Sequence, residues 1–435
     1  MPREVFVLKS GRCSHGSCIF CGYGRILGEP GSFDHLKGCF DRFFSSLPPQ
    51  TDEVCVYGSG SFLDGRQVPA DARAYFIKAC VEGGIRKLTV ESRPEYVTRE
   101  NLADFKGLEY TIAIGLEVGD DRILRKLNKG FSLREFEEAA ETVRAMGGRV
   151  RAYLLVNPPY VKNAKRSLTD SVAYALKHAD SVVLINTLPH TNSPLFDLWI
   201  SGEWNFLTKT EFKTITEPWA GNPAVDLDAE TFKFTPKFPE RLKKPLAGVG
   251  EEYLTHPHFE VWQDWLTRWY TPPEGRRTLL FLPCSYTKPY SESETHRKIT
   301  GVLEKTGKRR LIHEVMLSNA GVIPREFEDE YPFNAYDWNE QLETPEVKER
   351  YVTVTSERIA KYLRAHQGRY DKVLCYLKYD SESYQALKKA SQELGTDAKN
   401  LLTEETYNKI RGEKKPLTRE EALSDLARRL TDEVR

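Results

Sequence analysis

The strongest signal in the chain lies near its start, where residues 3–21 read Arg-Glu-Val-Phe-Val-Leu-Lys-Ser-Gly-Arg-Cys-Ser-His-Gly-Ser-Cys-Ile-Phe-Cys. Residues 4–8 predict a β-strand, and Cys13, Cys18 and Cys21 follow it with the spacing Cys-x4-Cys-x2-Cys. Three thiolates on one loop can hold a cubane iron–sulfur cluster and leave one iron without a protein ligand. A substrate or cofactor can bind such an open iron, so the spacing indicates chemistry more than electron transfer alone.

A zinc site and chance clustering are the alternatives. The paired Cys-x2-Cys sets of common zinc sites are missing, and His15 lies between the first two cysteines, in a poor position to complete a tetrahedron. The remaining cysteines, apart from Cys284, fall in apolar strand-like or helix-like runs and are predicted to be buried small hydrophobic residues. They are Cys39, Cys55, Cys80 and Cys375.

Composition sets outer bounds on the fold and on the compartment. With 435 residues and 40% apolar content, the chain has material for two domains, or for three. Neither an apolar run long enough to span a bilayer nor a signal-peptide pattern at the start is evident, which predicts a cytoplasmic protein without membrane contact. The formal net charge is zero, so the numbers of basic and acidic residues do not by themselves indicate electrostatic binding to nucleic acid.

Strand and helix signals alternate through the first half of the chain. This alternation predicts a parallel sheet with helices outside it, connected by right-handed crossovers. Ser132 with Glu135, and Ser167 with Asp170, predict two of the helix starts. The strand-like runs fall near residues 3–8, 53–57, 85–90, 110–116, 149–156 and 181–186.

Polar residues follow these strands, at the edge where parallel sheets bind ligands. After the cysteine loop they are Gly58, Ser59, Gly60, Ser61, Glu91, Ser92, Arg93, Gly115, Glu117, Asn157, Asn186, Thr187 and His190. A glycine–serine turn can bring backbone amides close to a carboxylate or phosphate, although most such turns are only turns. Glu117 could equally be a surface residue paired with Arg122 or Arg125, and His190 could be structural.

With these features in place, the chain resembles the radical S-adenosylmethionine enzymes, whose partial (β/α)6 barrel carries a cluster after its first strand. The resemblance covers about residues 1–215, although the commonest family spacing is Cys-x3-Cys-x2-Cys. It implies that Cys13, Cys18 and Cys21 bind a [4Fe–4S] cluster whose fourth iron is chelated by S-adenosylmethionine. An electron from an external donor would then release a 5′-deoxyadenosyl radical that abstracts hydrogen from the substrate.

The same resemblance assigns further cofactor contacts. The turn Gly58-Ser59-Gly60-Ser61 stands where the family meets the methionine amine. Glu91 and Arg93 stand where related enzymes contact the nucleoside or carboxylate, and Glu117 is a further candidate. Residues 91–95 and 115–130 look like the branch containing the Elongator catalytic subunit. Within that branch, residues 60–64 are most similar to the archaeal enzymes that complete archaeosine, a 7-deazaguanine base of tRNA.

The second half begins with a segment rich in proline and tryptophan, residues 216–275, which is predicted to be an extended connection on the barrel. It ends in a short helix whose Trp262, Trp265 and Trp269 share a face, and we expect that face to dock one domain on the other more readily than to stack bases. The predicted domains are therefore a barrel over residues 1–215, this connection, and a smaller α/β domain over residues 276–435.

The third domain carries a candidate catalytic loop. Residues 283–296 read Pro-Cys-Ser-Tyr-Thr-Lys-Pro-Tyr-Ser-Glu-Ser-Glu-Thr-His, between a strand and a helix. Cys284 could add to an electrophilic carbon if Lys288 or His296 lowers its pKa. The alternative is a capped helix start with incidental cysteine and histidine.

This loop resembles the archaeosine synthase domain that attaches lysine to 7-cyano-7-deazaguanine in tRNA. The pattern Pro-Cys-x3-Lys-Pro-Tyr-x2-Ser-x2-His assigns candidate roles to Cys284, Lys288, Tyr290, Ser293 and His296. The chain departs from the family after residue 332, where an expected glycine turn is missing.

Together the two resemblances imply one pathway. The barrel would cleave a carbon–nitrogen bond of the lysine adduct on 7-deazaguanine in tRNA and so form archaeosine. The last domain would dock or grip the same substrate, or else transfer the lysine. An archaeosine synthase subunit is the implied protein partner. The alternatives are another tRNA-modifying radical enzyme of the Elongator-like branch and a non-catalytic iron–sulfur subunit that binds tRNA.

Overall fold

The computed structural model describes residues 3–25, 31–230 and 234–434, and the chain divides into two units, Met1–Phe234 and Thr235–Arg435. The first unit is built on one parallel sheet in which each strand pairs with the next along the chain. Its strands are β1 (Arg3–Leu8), β2 (Glu53–Gly58), β3 (Lys87–Glu91), β4 (Glu109–Glu117), β5 (Arg149–Val156), β6 (Ser181–Asn186) and β7 (Val225–Asp228).

Helices connect these strands, as the alternation in the sequence predicts. They are α1 (Phe33–Ser46), α2 (Ala70–Glu82), α3 (Arg99–Leu102), α4 (Asp121–Lys126), α5 (Leu133–Ala145), α6 (Ala164–His178), α7 (Pro194–Ile200) and α8 (Lys209–Thr216). The predicted capping box begins α5, where the side chains of Ser132 and Glu135 each accept a hydrogen bond from the other residue's backbone amide. The predicted start at Ser167 is wrong, because the Asn163 side chain accepts from the Arg166 amide and caps α6 earlier.

Side-chain alternation separates the core of this unit from an open lumen. Successive strand residues point to opposite faces, and the helix-facing set is almost fully buried. Val54, Leu88, Ile112, Ala152 and Leu184 are typical of that set, and burial of each large aliphatic side chain contributes about 1.5–3 kcal/mol.

The lumen-facing set includes Val5 and Val7, which are exposed. Arg3 of β1 and Asp226 of β7 line one cavity, so the two edge strands face each other across the interior of a half-barrel. The predicted fold class, an α/β protein with a partial barrel and a smaller second domain, is confirmed.

The proline-rich segment 216–275 does not stay in one piece. Its first part contributes β7 to the sheet, which therefore has one strand more than the six predicted. Its last part, from Thr235, belongs to the second unit. There the indole N–H of Trp262 donates to the Tyr331 carbonyl oxygen at 3.0 Å, and the ring packs against Phe327 and Phe333. Trp262 thus lies in the core of the second unit.

The second unit contains a mixed five-stranded sheet of order β11-β10-β9-β13-β14 and a short pair, β8 with β12. Its strands are β8 (Leu246–Ala247), β9 (Thr278–Pro283), β10 (Ile312–Ser318), β11 (Gly321–Pro324), β12 (Tyr336–Asp337), β13 (Lys372–Cys375) and β14 (Ala398–Asn400). Its helices are α9 (Glu251–Leu254), α10 (Pro257–Arg268), α11 (Glu294–Lys305), α12 (Pro345–Ala365), α13 (Glu382–Leu394), α14 (Glu404–Ile410) and α15 (Glu420–Glu433). Across the described ranges, no helix combines the length and apolar character needed to cross a membrane.

Candidate functional site

The loop after β1 places Cys13, Cys18 and Cys21 in the wall of one cavity of about 260 Å³ at the carboxyl edge of the sheet. The segment after α4 holds this loop in place. The Ile19 amide donates to the Leu127 carbonyl at 3.1 Å, and the Asn128 side-chain amide donates to the Ser17 carbonyl at 3.0 Å.

His15 also supports the loop, because its Nε2 lies 2.6 Å from the Asn128 carbonyl oxygen. In the described part of the chain, no three His, Cys, Asp or Glu side chains converge as the ligands of one metal ion do. A cubane cluster makes a different demand, since each thiolate binds its own iron at a separate corner. Three cysteines spread around one cavity wall fit that group. Burial raises the pKa of the Cys18 and Cys21 thiols, so loading a cluster must displace their protons.

The glycine–serine turn after β2 borders the same cavity through Gly58, Ser59 and Gly60. The Ser59 hydroxyl donates to the Gly11 carbonyl at 2.9 Å and so ties the turn to the cysteine loop. A Cβ at Gly60 would lie 2.1 Å from Oε1 of Gln67, so no larger residue fits there without displacing that side chain. Ser61, which was also predicted to touch the cofactor, is buried behind the wall and accepts from the Arg93 amide at 3.0 Å.

Glu91, at the end of β3, faces the cavity beside this turn. Its Oε2 accepts from the Gly58 amide at 3.0 Å. Burial, and to a lesser degree the nearby Glu117 carboxylate, raise the pKa of Glu91 to about 7. The carboxyl therefore titrates near neutral pH and can exchange a proton or accept one from a cationic ligand group.

Glu117 and Lys129 form a buried ion pair in the same wall, with 2.7 Å between Oε1 and Nζ. Glu117 follows a bulge in β4 and has a φ of 70°, which turns its carboxylate toward the cavity. Burial lowers the pKa of Lys129, but attraction to Glu117 outweighs it and the net shift is upward. Arg93 supports the pair from behind, since it donates to the Lys129 carbonyl at 2.9 Å.

The structure therefore brings together every predicted cluster and cofactor residue except Ser61. Among the other lining residues, Tyr23, Lys129 and Tyr153 carry polar groups that the sequence analysis does not single out. The signal for Tyr153 was available, because its position in the alternation of β5 places it on the lumen face.

A larger cavity of about 1010 Å³, here called the lumen cavity, continues from the first one into the half-barrel. Tyr23, Gly58, Ser59, Glu91, Tyr153 and Ile185 line both. Charged groups of both signs line the rest, among them Arg3, Arg151, Asp226 and Asp228. A ligand held at the first cavity can thus extend into a lumen that offers charge of either sign.

In the second unit, Cys284 follows β9, but its pKa is raised to about 11 instead of lowered. Burial dominates, and attraction to Lys288 offsets only part of it. The Lys288 ammonium lies 4.0 Å from the Tyr336 ring centroid and donates to the Tyr286 carbonyl at 3.2 Å. Burial lowers the pKa of Lys288, so the amine is easier to deprotonate than a surface lysine.

His296 is fully buried, and both of its ring nitrogens are engaged. Nε2 lies 2.9 Å from the Pro283 carbonyl oxygen, and Nδ1 lies 2.9 Å from a terminal nitrogen of Arg325. Burial lowers its pKa to about 4, so the ring is neutral, donates through Nε2 and accepts at Nδ1. His296 thus holds the end of β9 in place, while Ser293 caps α11 and accepts from the His296 amide at 3.1 Å.

Two family models match parts of this chain. Residues 7–166 match the radical SAM superfamily, and residues 259–428 match DUF5591, a domain of unknown function.

Among curated proteins, archaeosine synthase subunit beta of Methanosarcina acetivorans is 30% identical over 211 residues, which cover 46% of this chain and 61% of that protein. Archaeosine synthase subunit alpha of Thermoplasma acidophilum is 36% identical over 105 residues, covering 24% of this chain and 20% of that protein. The chain thus spans less than two thirds of these relatives.

Among solved structures, the queuine lyase from Clostridium spiroforme bound to SAM and queuine aligns with a TM-score of 0.42 and 20% identity, covering 53% of this chain and 91% of that one. The match to the radical SAM superfamily, whose members use a [4Fe–4S] cluster and S-adenosylmethionine as cofactors, thus lies in the first unit and includes the three cysteines of the cavity wall.

Proposed function

We propose that this chain cleaves a carbon–nitrogen bond of the lysine adduct on 7-deazaguanine in tRNA, and so forms archaeosine. The observation that carries the proposal is the three-cysteine cavity, which opens into a charged lumen able to take a polar side chain. The 30% identity to a protein named archaeosine synthase subunit beta supports the choice of substrate.

Cys13, Cys18 and Cys21 would hold three irons of the cluster and leave the fourth for S-adenosylmethionine. When bound, the cluster and S-adenosylmethionine together supply a one-electron hydrogen abstraction, with an external donor as the electron source. The turn at Gly58–Gly60 would present backbone groups to the methionine end of S-adenosylmethionine. Glu91 provides a carboxyl that titrates near neutral pH for a cationic group.

Arg93 and the Glu117–Lys129 pair form the wall behind these groups. Because the pair is buried and mutually neutralising, it places polar atoms at the cavity without adding net charge there.

The second unit would grip the same tRNA-borne substrate rather than transfer lysine. A thiol with a pKa of about 11 is poorly ionised at neutral pH, and His296 has no free nitrogen to act as its base. Cys284 and Lys288, which are both only partly buried, would contact the substrate. A separate archaeosine synthase subunit would then supply the lysine adduct and is the expected protein partner.

An anaerobic turnover assay tests the proposal. Reconstituted protein, dithionite, S-adenosylmethionine and tRNA bearing the lysine adduct are incubated, and archaeosine and 5′-deoxyadenosine are quantified by mass spectrometry. Cys18→Ala is the inactive variant, and Cys80→Ala, which removes a buried thiol of α2, is its matched control. We expect both products with the wild type and with Cys80→Ala, and neither with Cys18→Ala.

The other outcomes separate the rival functions. If 5′-deoxyadenosine forms while the base is untouched, the chain acts on another substrate, as a different tRNA-modifying enzyme of this superfamily would. If neither product forms although the cluster and S-adenosylmethionine are bound, a non-catalytic tRNA-binding subunit explains the data better.

A further inference from the structure

The lumen cavity contains an ion pair that the cofactor does not account for. The Arg151 guanidinium of β5 contacts the Asp226 carboxylate of β7 across β6, and both side chains line the cavity. The buried Nε of Arg151 has no hydrogen-bond partner within residues 3–25, 31–230 and 234–434. The Asp226 side chain is 61% exposed, so its carboxylate is open to a ligand.

The distance along β5 relates this pair to the cofactor cavity. Tyr153 lines both cavities, and Arg151 is two residues earlier on the same strand, about 7 Å away at the rise of a β-strand. In a lysine joined through its side-chain nitrogen, four carbon–carbon bonds separate the carbon beside that nitrogen from the α-carbon, about 5 Å when extended. A lysine whose reacting end lies at the cofactor cavity therefore reaches the ion pair with its α-carbon.

An arginine in contact with an aspartate matches the polar end of an amino acid. A free α-amino acid end carries an ammonium and a carboxylate on one carbon, and the pair presents the complementary charges within one contact. An alkyl chain would gain nothing from either group, and an uncharged base could form hydrogen bonds with them but would not match their two opposite charges.

Asp228, two residues further along β7, lines the same cavity, and burial raises the pKa of its carboxyl. A nearby ammonium would favour its ionised form. The lumen thus has a second acceptor for the same ligand group.

We propose that Arg151 binds the α-carboxylate, and Asp226 with Asp228 the α-ammonium, of the lysine carried by the tRNA substrate. This inference rests on the proposed function, since it names the part of that substrate held in the lumen. It makes these residues determinants of specificity that hold the amino acid end while the reacting end stays at the cofactor cavity.

The test uses three tRNAs in which an amine is joined to the cyano group of 7-cyano-7-deazaguanine. The amine belongs to the side chain of lysine, to pentane-1,5-diamine or to 6-aminohexanoate. The diamine lacks the carboxylate, and the amino acid lacks the α-ammonium. Dissociation constants are measured by fluorescence anisotropy with cluster-loaded protein and without reductant, so that nothing turns over. For the wild type, we expect the lysine adduct to bind about tenfold more tightly than either truncated adduct, as one charged hydrogen bond implies.

Each of two variants should lose the preference for lysine over one of the truncated adducts. Asp226→Asn should abolish the preference for lysine over 6-aminohexanoate and leave binding of the 6-aminohexanoate adduct unchanged. Arg151→Gln should abolish the preference over the diamine and leave the diamine adduct unchanged. Asp170→Asn, which removes the partner of Arg166 on the exposed surface of α6, is the matched control and should change no ratio.

Equal affinity of the wild type for all three adducts would overturn the inference. The inference would also be overturned if both variants lost the same amount of affinity for all three adducts. That pattern would mean that the Arg151–Asp226 pair only joins β5 to β7. Turnover of the lysine adduct is scored separately. If archaeosine forms but the three adducts bind equally well, the proposed function stands and this subsite is refuted. If the affinities follow the expected pattern but no archaeosine forms, the subsite stands and the proposed function is refuted.

Discussion

Removing one partner of the Glu117–Lys129 pair should destabilise the first unit severely. Glu117→Gln keeps the shape and the L-configuration at a residue with a φ of 70°, so the backbone cost is the same in both proteins. What changes is the charge opposite the Lys129 ammonium, whose side chain is only 9% exposed. Cluster-free protein is the proper sample, because a bound cluster would add its own binding energy to the measured stability.

The magnitude follows from burial. Breaking a buried pair by removing one partner costs about 3–5 kcal/mol, since the remaining charge has lost both water and its counter-ion. The retained amide can still accept a hydrogen bond from Lys129, so we expect a loss of about 3 kcal/mol in the free energy of unfolding. Glu117→Gln combined with Lys129→Met should recover most of the loss, because it removes the unpaired charge altogether.

The pH dependence gives a second, independent signature. In the wild type the pKa of Lys129 is raised, so its contribution to stability is fully present below its ordinary value and is lost only at more alkaline pH. Without Glu117, burial should depress that pKa below its ordinary value. The native variant then binds fewer protons than the unfolded chain, and its free energy of unfolding should increase between pH 7 and pH 9 relative to the wild type.

The buried Cys80 thiol of α2 reports unfolding of the first unit alone. Brief alkylation at increasing urea concentration, followed by mass spectrometry of the Cys80 peptide, gives the unfolded fraction at each pH. The reasoning is refuted if Glu117→Gln shifts the free energy of unfolding by less than about 1 kcal/mol, the range of exposed ion pairs. A double variant no more stable than Glu117→Gln would also contradict it, because the cost would then not come from the unpaired lysine.

Three further predictions follow from the same structure. Cys18→Ala should abolish iron binding and the visible absorbance of the reconstituted protein, whereas Cys80→Ala should keep both. In the cluster-free wild type, the raised pKa of Glu91 means that the native carboxyl keeps its proton longer, so stability should fall by at most about 3 kcal/mol between pH 4.5 and pH 7. Urea titrations should show that Glu91→Gln removes this slope. The pKa of His296 is lowered to about 4, so the stability of the second unit should instead increase between pH 4 and pH 6.5. His296→Ala should lose this increase. Alkylation of the buried Cys375 thiol measures the unfolding of this unit.

The sheet of the first unit was predictable because six strands carry apolar side chains at every second position toward the helices. The seventh strand was not. Val225–Asp228 has two acidic residues in four and lies at the edge of the sheet, where one face meets the lumen. Its alternation of apolar and acidic residues spans only four positions, which is too short to predict a strand, and the surrounding prolines and tryptophans indicate an extended connection instead. Only pairing with β6 shows that it is a strand.

The cofactor cavity was predictable to the extent that chain order determines position. Parallel strands in sequential order bring every strand-end loop to one edge, so residues after different strands had to meet. Lys129 escaped prediction because a lysine after a short helix is ordinarily a surface residue. Its burial depends on the bulge in β4 that turns Glu117 toward it, and the sequence has no local signal for that bulge. The prediction that Ser61 contacts the cofactor is wrong, because the turn leaves the cavity wall after Gly60.

The loop of the second unit shows why a motif does not assign a chemical role to each of its members. Ser293 and His296 stabilise the start of α11 and the end of β9, whereas we propose a substrate contact for Cys284 and Lys288. With a pKa of about 11, roughly one thiol in 10,000 is ionised at pH 7. The thiol is therefore protonated at neutral pH, and a nucleophilic role for Cys284 would need a ligand that lowers its pKa. Under our proposal, a domain that grips the substrate can therefore carry the same loop as a domain that transfers lysine.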